Sequence, residues 1–111
     1  MNLVFTRAGH LRSGDIHACE QLNHIVFGAA TLTQLRGGRD VVTRLAGGDV
    51  VRIPPHTPHL YEFTRDSLMT ETWRTPSGEP CAFRAWLYGP YRARIPAATT
   101  DKRFVDGAAA G

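Results

Sequence analysis

Gly48-Asp49-Val50-Val51-Arg52-Ile53-Pro54-Pro55-His56-Thr57-Pro58-His59-Leu60-Tyr61-Glu62-Phe63 is the stretch on which the reading of this 111-residue chain turns. Gly48 supplies a tight turn, and the β-branched run that follows is strand-like. Pro54 has no N–H to give to a ladder, so it ends that strand. The loop through Pro55 and Pro58 then delivers His59 to the head of a second strand. On that strand His59, Tyr61 and Phe63 alternate with Leu60 and Glu62, so the three rings share one face.

Working outward, the same short period recurs. Leu3–Thr6, a strand near Ile16–Leu22, His24 to Leu35, Val41–Leu45, Leu68–Trp73 and Ala82–Tyr88 read as further strands. Gly37-Gly38, Gly47-Gly48 and Pro76-Ser77-Gly78 punctuate them. About eight short strands with glycine and proline turns predict an all-β sandwich or small barrel. No stretch keeps a helical period. Residues 1–96 are expected to form one domain, with 97–111 as a C-terminal extension or linker.

Composition narrows the function classes. A hydrophobic fraction of 42% with 21% charged residues suits a folded domain and not a disordered chain. No 18-residue apolar run is present, so no membrane span is expected. The net charge of +3 comes from arginines scattered along the chain, which reads as a solvated surface and not a nucleic-acid stripe. The first residues lack the basic-then-apolar order of a secretion signal. Cys19 and Cys81, the two cysteines, make no disulfide framework, and Cys19 is expected as a buried inert thiol. A cytoplasmic location follows from those two expectations.

The quoted stretch resembles the second sequence motif of the cupins, G-x5-P-x-G-x2-H-x3-N. Gly48, Pro54 and His59 fill the glycine, the proline and the metal-ligand histidine, while His56 stands at the second glycine and Phe63 at the asparagine. The first cupin motif, G-x5-H-x-H-x3,4-E-x6-G, finds its five positions in Gly9, Asp15, His17, Gln21 and Gly28. Asp15 replaces a histidine and Gln21 replaces the glutamate. The resemblance spans about residues 9–63 and implies a jelly-roll β-sandwich or barrel with one divalent metal in its mouth.

On that resemblance the ligands are Asp15, His17 and His59, with Gln21 as a fourth through its carbonyl oxygen or as the holder of a water. The exchange keeps one negative charge among the ligands and moves it from position 21 to position 15. Two histidines and one carboxylate make a set suited to Fe(II) with open positions, and Zn, Mn or Ni also fit. Tyr61 is the expected catalytic hydroxyl. Asn23 and Phe63 are expected to line the substrate cavity. Glu20 and His24 fall out of phase with Gln21 and should face outward, and His56 should sit in an exposed loop. Arg84, Trp86 and Tyr88 form one face of the last strand and Phe83, Ala85 and Leu87, the core side, the other. Tyr91–Arg94 is a basic-aromatic segment expected to pack across the barrel.

The function so implied is metal-dependent action on a small polar metabolite by dioxygenation, isomerisation or rearrangement. The alternatives are a non-enzymatic ligand- or metal-binding module of a larger protein, or a metal-free cupin of the sugar-nucleotide isomerase type. A homodimer is expected, because Trp73, Trp86 and Tyr88 on a late strand leave apolar surface to cover.

Overall fold

The β-branched and aromatic runs pair into two antiparallel sheets facing each other, in a computed structural model that describes residues 1–75, 77–79, 81 and 85–96. In chain order the strands are β1 Asn2–Thr6, β2 Leu11–His17, β3 Glu20–Phe27, β4 Ala29–Arg36, β5 Arg39–Ala46, β6 Val50–Ile53, β7 His59–Phe63, β8 Ser67–Arg74 and β9 Ala85–Leu87. One sheet has the order β1-β8-β3-β6 and the other β5-β4-β7-β2-β9. A single helical turn, α1 Gly89–Arg92, follows β9.

The core lies between the sheets. Ile25, Ile53 and Met69 from the first sheet pack on Ala30, Leu32, Leu45, Tyr61 and Phe63 from the second. Burying each large apolar side chain of this set stabilises the fold by roughly 1.5–3 kcal/mol before its entropy cost. In β7 only Glu62 is exposed, while Leu60, which shares its parity, is buried with the other three.

Two expected strands are divided by turns. The strand expected near Ile16–Leu22 is broken at Ala18-Cys19, where the chain leaves β2 in one sheet and enters β3 in the other. Alternation alone cannot register a change of sheet. The run from His24 to Leu35 is split at Gly28, whose φ of +104° suits glycine. A Cβ there would meet Ser67 Oγ and the Asp66 carbonyl oxygen at 2.6 Å or less, so the β3–β4 corner admits no side chain.

The cysteine expectation is overturned. Cys19 and Cys81 form a disulfide that ties the β2–β3 turn to the segment before β9. Strand alternation carries no information on a pairing between positions sixty-two apart in sequence. With the thiols paired, the ground for expecting the cytoplasm is removed. No helix among the described residues is long and apolar enough to cross a membrane.

Leu87 shares a register position with Asp15, so its parity is as expected, but it is not core. It is 62% exposed because β9 is an edge strand at the open side of its sheet. Trp73 is also not part of an outer patch: its ring lies edge-on to that of His17, with centroids 6.1 Å apart. Phe83, Arg84 and the expected extension 97–111 lie outside the described residues.

Candidate metal centre

The site begins with an irregularity in β2. Ser13 and Gly14 both have positive φ, +77° and +70°, and the pairing of β2 with β7 shifts there. Ser13 pairs with Leu60, yet Asp15 pairs with His59, so one residue is bulged out. Without the bulge Gly14 would oppose His59 and Asp15 would point outward. With it, Asp15 and His17 turn inward beside His59. The bulge is pinned from α1, where the Tyr88 N–H donates to the Gly14 carbonyl (2.8 Å) and Arg92 Nη1 to the Ser13 carbonyl (3.0 Å). The Tyr91–Arg94 segment, expected to pack across the barrel, instead lies against the second sheet, with Tyr91 O–H donating to Asp40 Oδ1 at 2.7 Å.

His59 is brought in by the proline loop. His56 adopts a φ of +60° at the position where the motif has glycine, and its N–H donates to the His17 carbonyl (2.7 Å). The loop therefore locks the two histidine-bearing strands together while the His56 side chain stays exposed.

Asp15, His17 and His59 each offer a ligand atom, and these atoms lie within 4.8 Å of one another. Asp15 Oδ1 is 3.3 Å from His17 Nε2 and 3.4 Å from His59 Nε2. His59 is fully buried, and its Nδ1 lies 2.9 Å from the Thr57 carbonyl oxygen. Only a protonated Nδ1 can bond a carbonyl, so that contact leaves Nε2 as the bare nitrogen. Burial, joined by the neighbouring His17, holds the His59 pKa down to about 4 against the opposing pull of Asp15 and the Thr57 bond. At neutral pH a nitrogen lone pair therefore faces a carboxylate oxygen. Both atoms are buried and neither has a hydrogen-bond partner. Such an arrangement is repulsive in the absence of a cation and is the donor set of a divalent one. The residues present fit a metal.

Gln21 reaches the same interior from the other sheet. It pairs with Trp73 on β8, and Trp73 contacts His17. Its amide orientation is fixed by a chain of bonds. Asn23 Nδ2 donates to the Thr70 carbonyl (3.1 Å), which makes Asn23 Oδ1 the acceptor for both Tyr61 O–H (2.7 Å) and Gln21 Nε2 (2.9 Å). Gln21 Oε1 is left buried without a partner. Tyr61 is buried, and that burial, together with Glu71, pushes its pKa well above the ordinary phenol value. It is a proton-bearing donor and not a base.

The other expected residues sort by distance along the strand. Phe63 lies four residues beyond His59, about 14 Å at the usual rise. It stacks on Tyr61 (5.4 Å) within the apolar core. His24 is exposed, as expected. Glu20 pairs with Arg74 (2.8 Å) and Arg52 (3.2 Å), and the Arg74 bond lowers its pKa; it is not among the clustered ligands. Sequence reasoning missed Gln34. It faces His59 across β4 and β7 and is buried, a position that periodicity within β4 could have flagged.

No protein-family model and no curated protein matches the sequence. Solved structures do match. Vicilin from Corylus avellana (hazelnut) aligns with a TM-score of 0.67 at 21% identity, over 77% of this chain and 25% of that one. The Lactobacillus farciminis oxalate decarboxylase formate complex gives 0.65 at 18% identity, over 85% and 28%. The Drosophila melanogaster CENP-C cupin domain gives 0.57 at 18% identity, over 65% and 58%. The chain thus spans about a quarter of the vicilin and decarboxylase chains. At such identities the likeness speaks to architecture and not to activity. The two-sheet sandwich that carries both histidine-bearing strands is the one these proteins share, and this chain has the cupin fold.

Proposed function

We propose that the chain holds one divalent metal ion between Asp15, His17 and His59 and acts there on a small polar metabolite, by dioxygenation, isomerisation or rearrangement. The observation that carries this reading is the buried pair of facing, unbonded ligand atoms, His59 Nε2 and Asp15 Oδ1, with His17 beside them. When bound, the ion supplies a Lewis acid with positions open to substrate or water. Two nitrogens and a carboxylate suit Fe(II), Zn, Mn or Ni.

The chain's own groups have separable tasks in this reading. The Thr57 carbonyl orients the His59 ring and fixes its tautomer. Gln21 turns its carbonyl oxygen to the interior, held there by Asn23. Tyr61 keeps its proton at neutral pH and supplies it as a donor through a fixed hydroxyl. Asn23 orients that hydroxyl and the Gln21 amide. Phe63 closes the apolar floor and meets only a ligand long enough to pass Tyr61.

A homodimer accompanies this reading. Leu3 and Phe5 of β1, Phe27 of β3 and Val50 of β6 stand exposed on the first sheet, and a second copy would cover them. The Cys19–Cys81 bond favours an oxidising compartment as the place of work.

Elemental analysis of the purified protein, repeated on His17→Ala and His59→Ala, tests the metal. One ion per chain in the parent and a content far below that in both variants, each still a folded β protein by circular dichroism, is the expected result. Full metal in both variants would remove the proposed ligand set.

A further inference from the structure

The Cys19–Cys81 bond stands beside the metal centre and takes no part in the proposed chemistry. Cys19 lies two residues past His17, and Cys81 four before Ala85, the residue that pairs with His17 across the β2–β9 ladder. With their Cα atoms 6.2 Å apart, the two cysteines close that ladder just beyond its His17 rung. Both candidate ligands of β2 sit on the ladder, Asp15 opposite Leu87 and His17 opposite Ala85.

The strand that backs them buries little. β9 is an edge strand of three residues paired to β2, and its Trp86 and Leu87 are 45% and 62% exposed. At its far end α1 fastens it. Buried Tyr91 donates to Asp40, while the Tyr88 N–H and Arg92 Nη1 donate to the Gly14 and Ser13 carbonyls of the bulge. The approach is so close that a Cβ on Gly14 would come within 2.7 Å of Arg92 Cδ. Ala85–Arg92 is therefore a clamp along β2, tied by Tyr91 at one end and by the disulfide at the other. Opening the disulfide frees the end beside His17, and an edge strand with few buried contacts frays from its free end.

We infer that the disulfide controls the metal centre: the oxidised chain holds the ion more tightly than the dithiol form. This rests on the metal reading above. A dithiol reductant opens the bond in two exchanges. Cys19 is 1% exposed and Cys81 half-buried, so the attacking thiolate meets Cys81 Sγ. The Sγ–Sγ bond breaks, its electron pair leaves on Cys19 Sγ, which takes up a proton, and a mixed disulfide forms at Cys81. The reagent's second thiolate then displaces Cys81 Sγ, which is protonated in turn, leaving two cysteine thiols and one reagent disulfide. The coupling is reciprocal: the factor that oxidation adds to metal affinity is the factor by which bound metal protects the disulfide from reduction.

The test uses Mn²⁺, an ion that prefers oxygen and nitrogen ligands to thiols, followed by the electron paramagnetic resonance signal of the free ion. In dithiothreitol the protein should bind Mn²⁺ at least about tenfold more weakly than in the oxidised state, the scale of loss when support for a ligand is removed. Saturating Mn²⁺ should in turn lower the reduction potential of the disulfide by about 30 mV for each tenfold of that difference. On reduction the Tyr88 and Arg92 amides should exchange hydrogen faster while those of β4 and β7 keep their protection. The Cys19→Ala, Cys81→Ser double variant should show the weaker Mn²⁺ binding with no reductant present. Equal affinity in the two redox states, or a potential that Mn²⁺ does not move, overturns the inference. Loss of the β signal in circular dichroism on reduction also overturns it, since the bond would then support the whole fold and not the clamp. Binding that is lost in His17→Ala yet unchanged by reduction removes this inference alone and leaves the metal reading standing. An oxidised parent that takes up no ion overturns the metal reading, and this inference with it.

Discussion

Acidifying the metal-free protein should weaken it in a calculable window, through His59. Its ring is fully buried, and its pKa falls from an ordinary value near 6.5 to about 4. In the unfolded chain the ring protonates as pH drops through about 6.5, while in the fold it stays neutral until about 4. Between those values the unfolded state binds the extra proton, so stability is complete above pH 6.5 and is lost progressively below it. The full shift corresponds to about 3 kcal/mol, of which about 2 kcal/mol is gone by pH 5. With a urea m-value of about 1–3 kcal/mol/M for a domain of this size, the midpoint should move by about 1 M. Urea melts of chelator-treated protein at pH 7.5, 6 and 5 measure it, with His59→Asn as the control. The parent midpoint should fall and the variant's should change far less. A parent midpoint flat from pH 7.5 to 5 would refute the claim that the ring is buried neutral. Saturating metal should protect the fold in the same range, because the ion competes with the proton for Nε2.

Other outcomes follow from separate features. Gln21→Glu should raise metal affinity by adding a carboxylate on the inward face of β3, measured by competition with a chelator dye, whereas Glu20→Ala should leave metal content unchanged. Gly28→Ala should destabilise by at least about 2 kcal/mol in urea melts, because its φ and the Asp66–Ser67 backbone leave no room for a methyl group. Arg92→Ala should lower metal affinity without unfolding the protein, since it releases the Ser13 carbonyl that fixes the bulge before Asp15; unchanged affinity would show that the Tyr88 bond suffices. Light scattering at about 100 μM should give the mass of two chains, and Phe5→Lys, placed on the exposed outer face of the first sheet, should return it to one.

What the sequence alone determined is the kind of structure and which inward side chains were candidates for the site. Strand-length β-branched runs with glycine and proline turns and without a helical period permit little but a sandwich. Gly48, Pro54 and His59 could be read because turn, strand end and ligand each need a particular residue type. His17 and Gln21 were legible by spacing. What only the tertiary structure decided are relations that alternation does not carry. Arg12 and Asp15 have opposite parity along β2 and yet both turn from solvent, because the Ser13–Gly14 bulge inserts one residue between them. Cys19 and Cys81 meet because the turn after His17 lies beside the segment before β9. Gln34 becomes a neighbour of His59 through strand register alone, with no motif to announce it. Local chemistry fixes which way each strand runs and which side it can bury. Which strands lie beside one another, and which side chains therefore come together, is settled by the packing of two sheets that no single stretch of sequence contains.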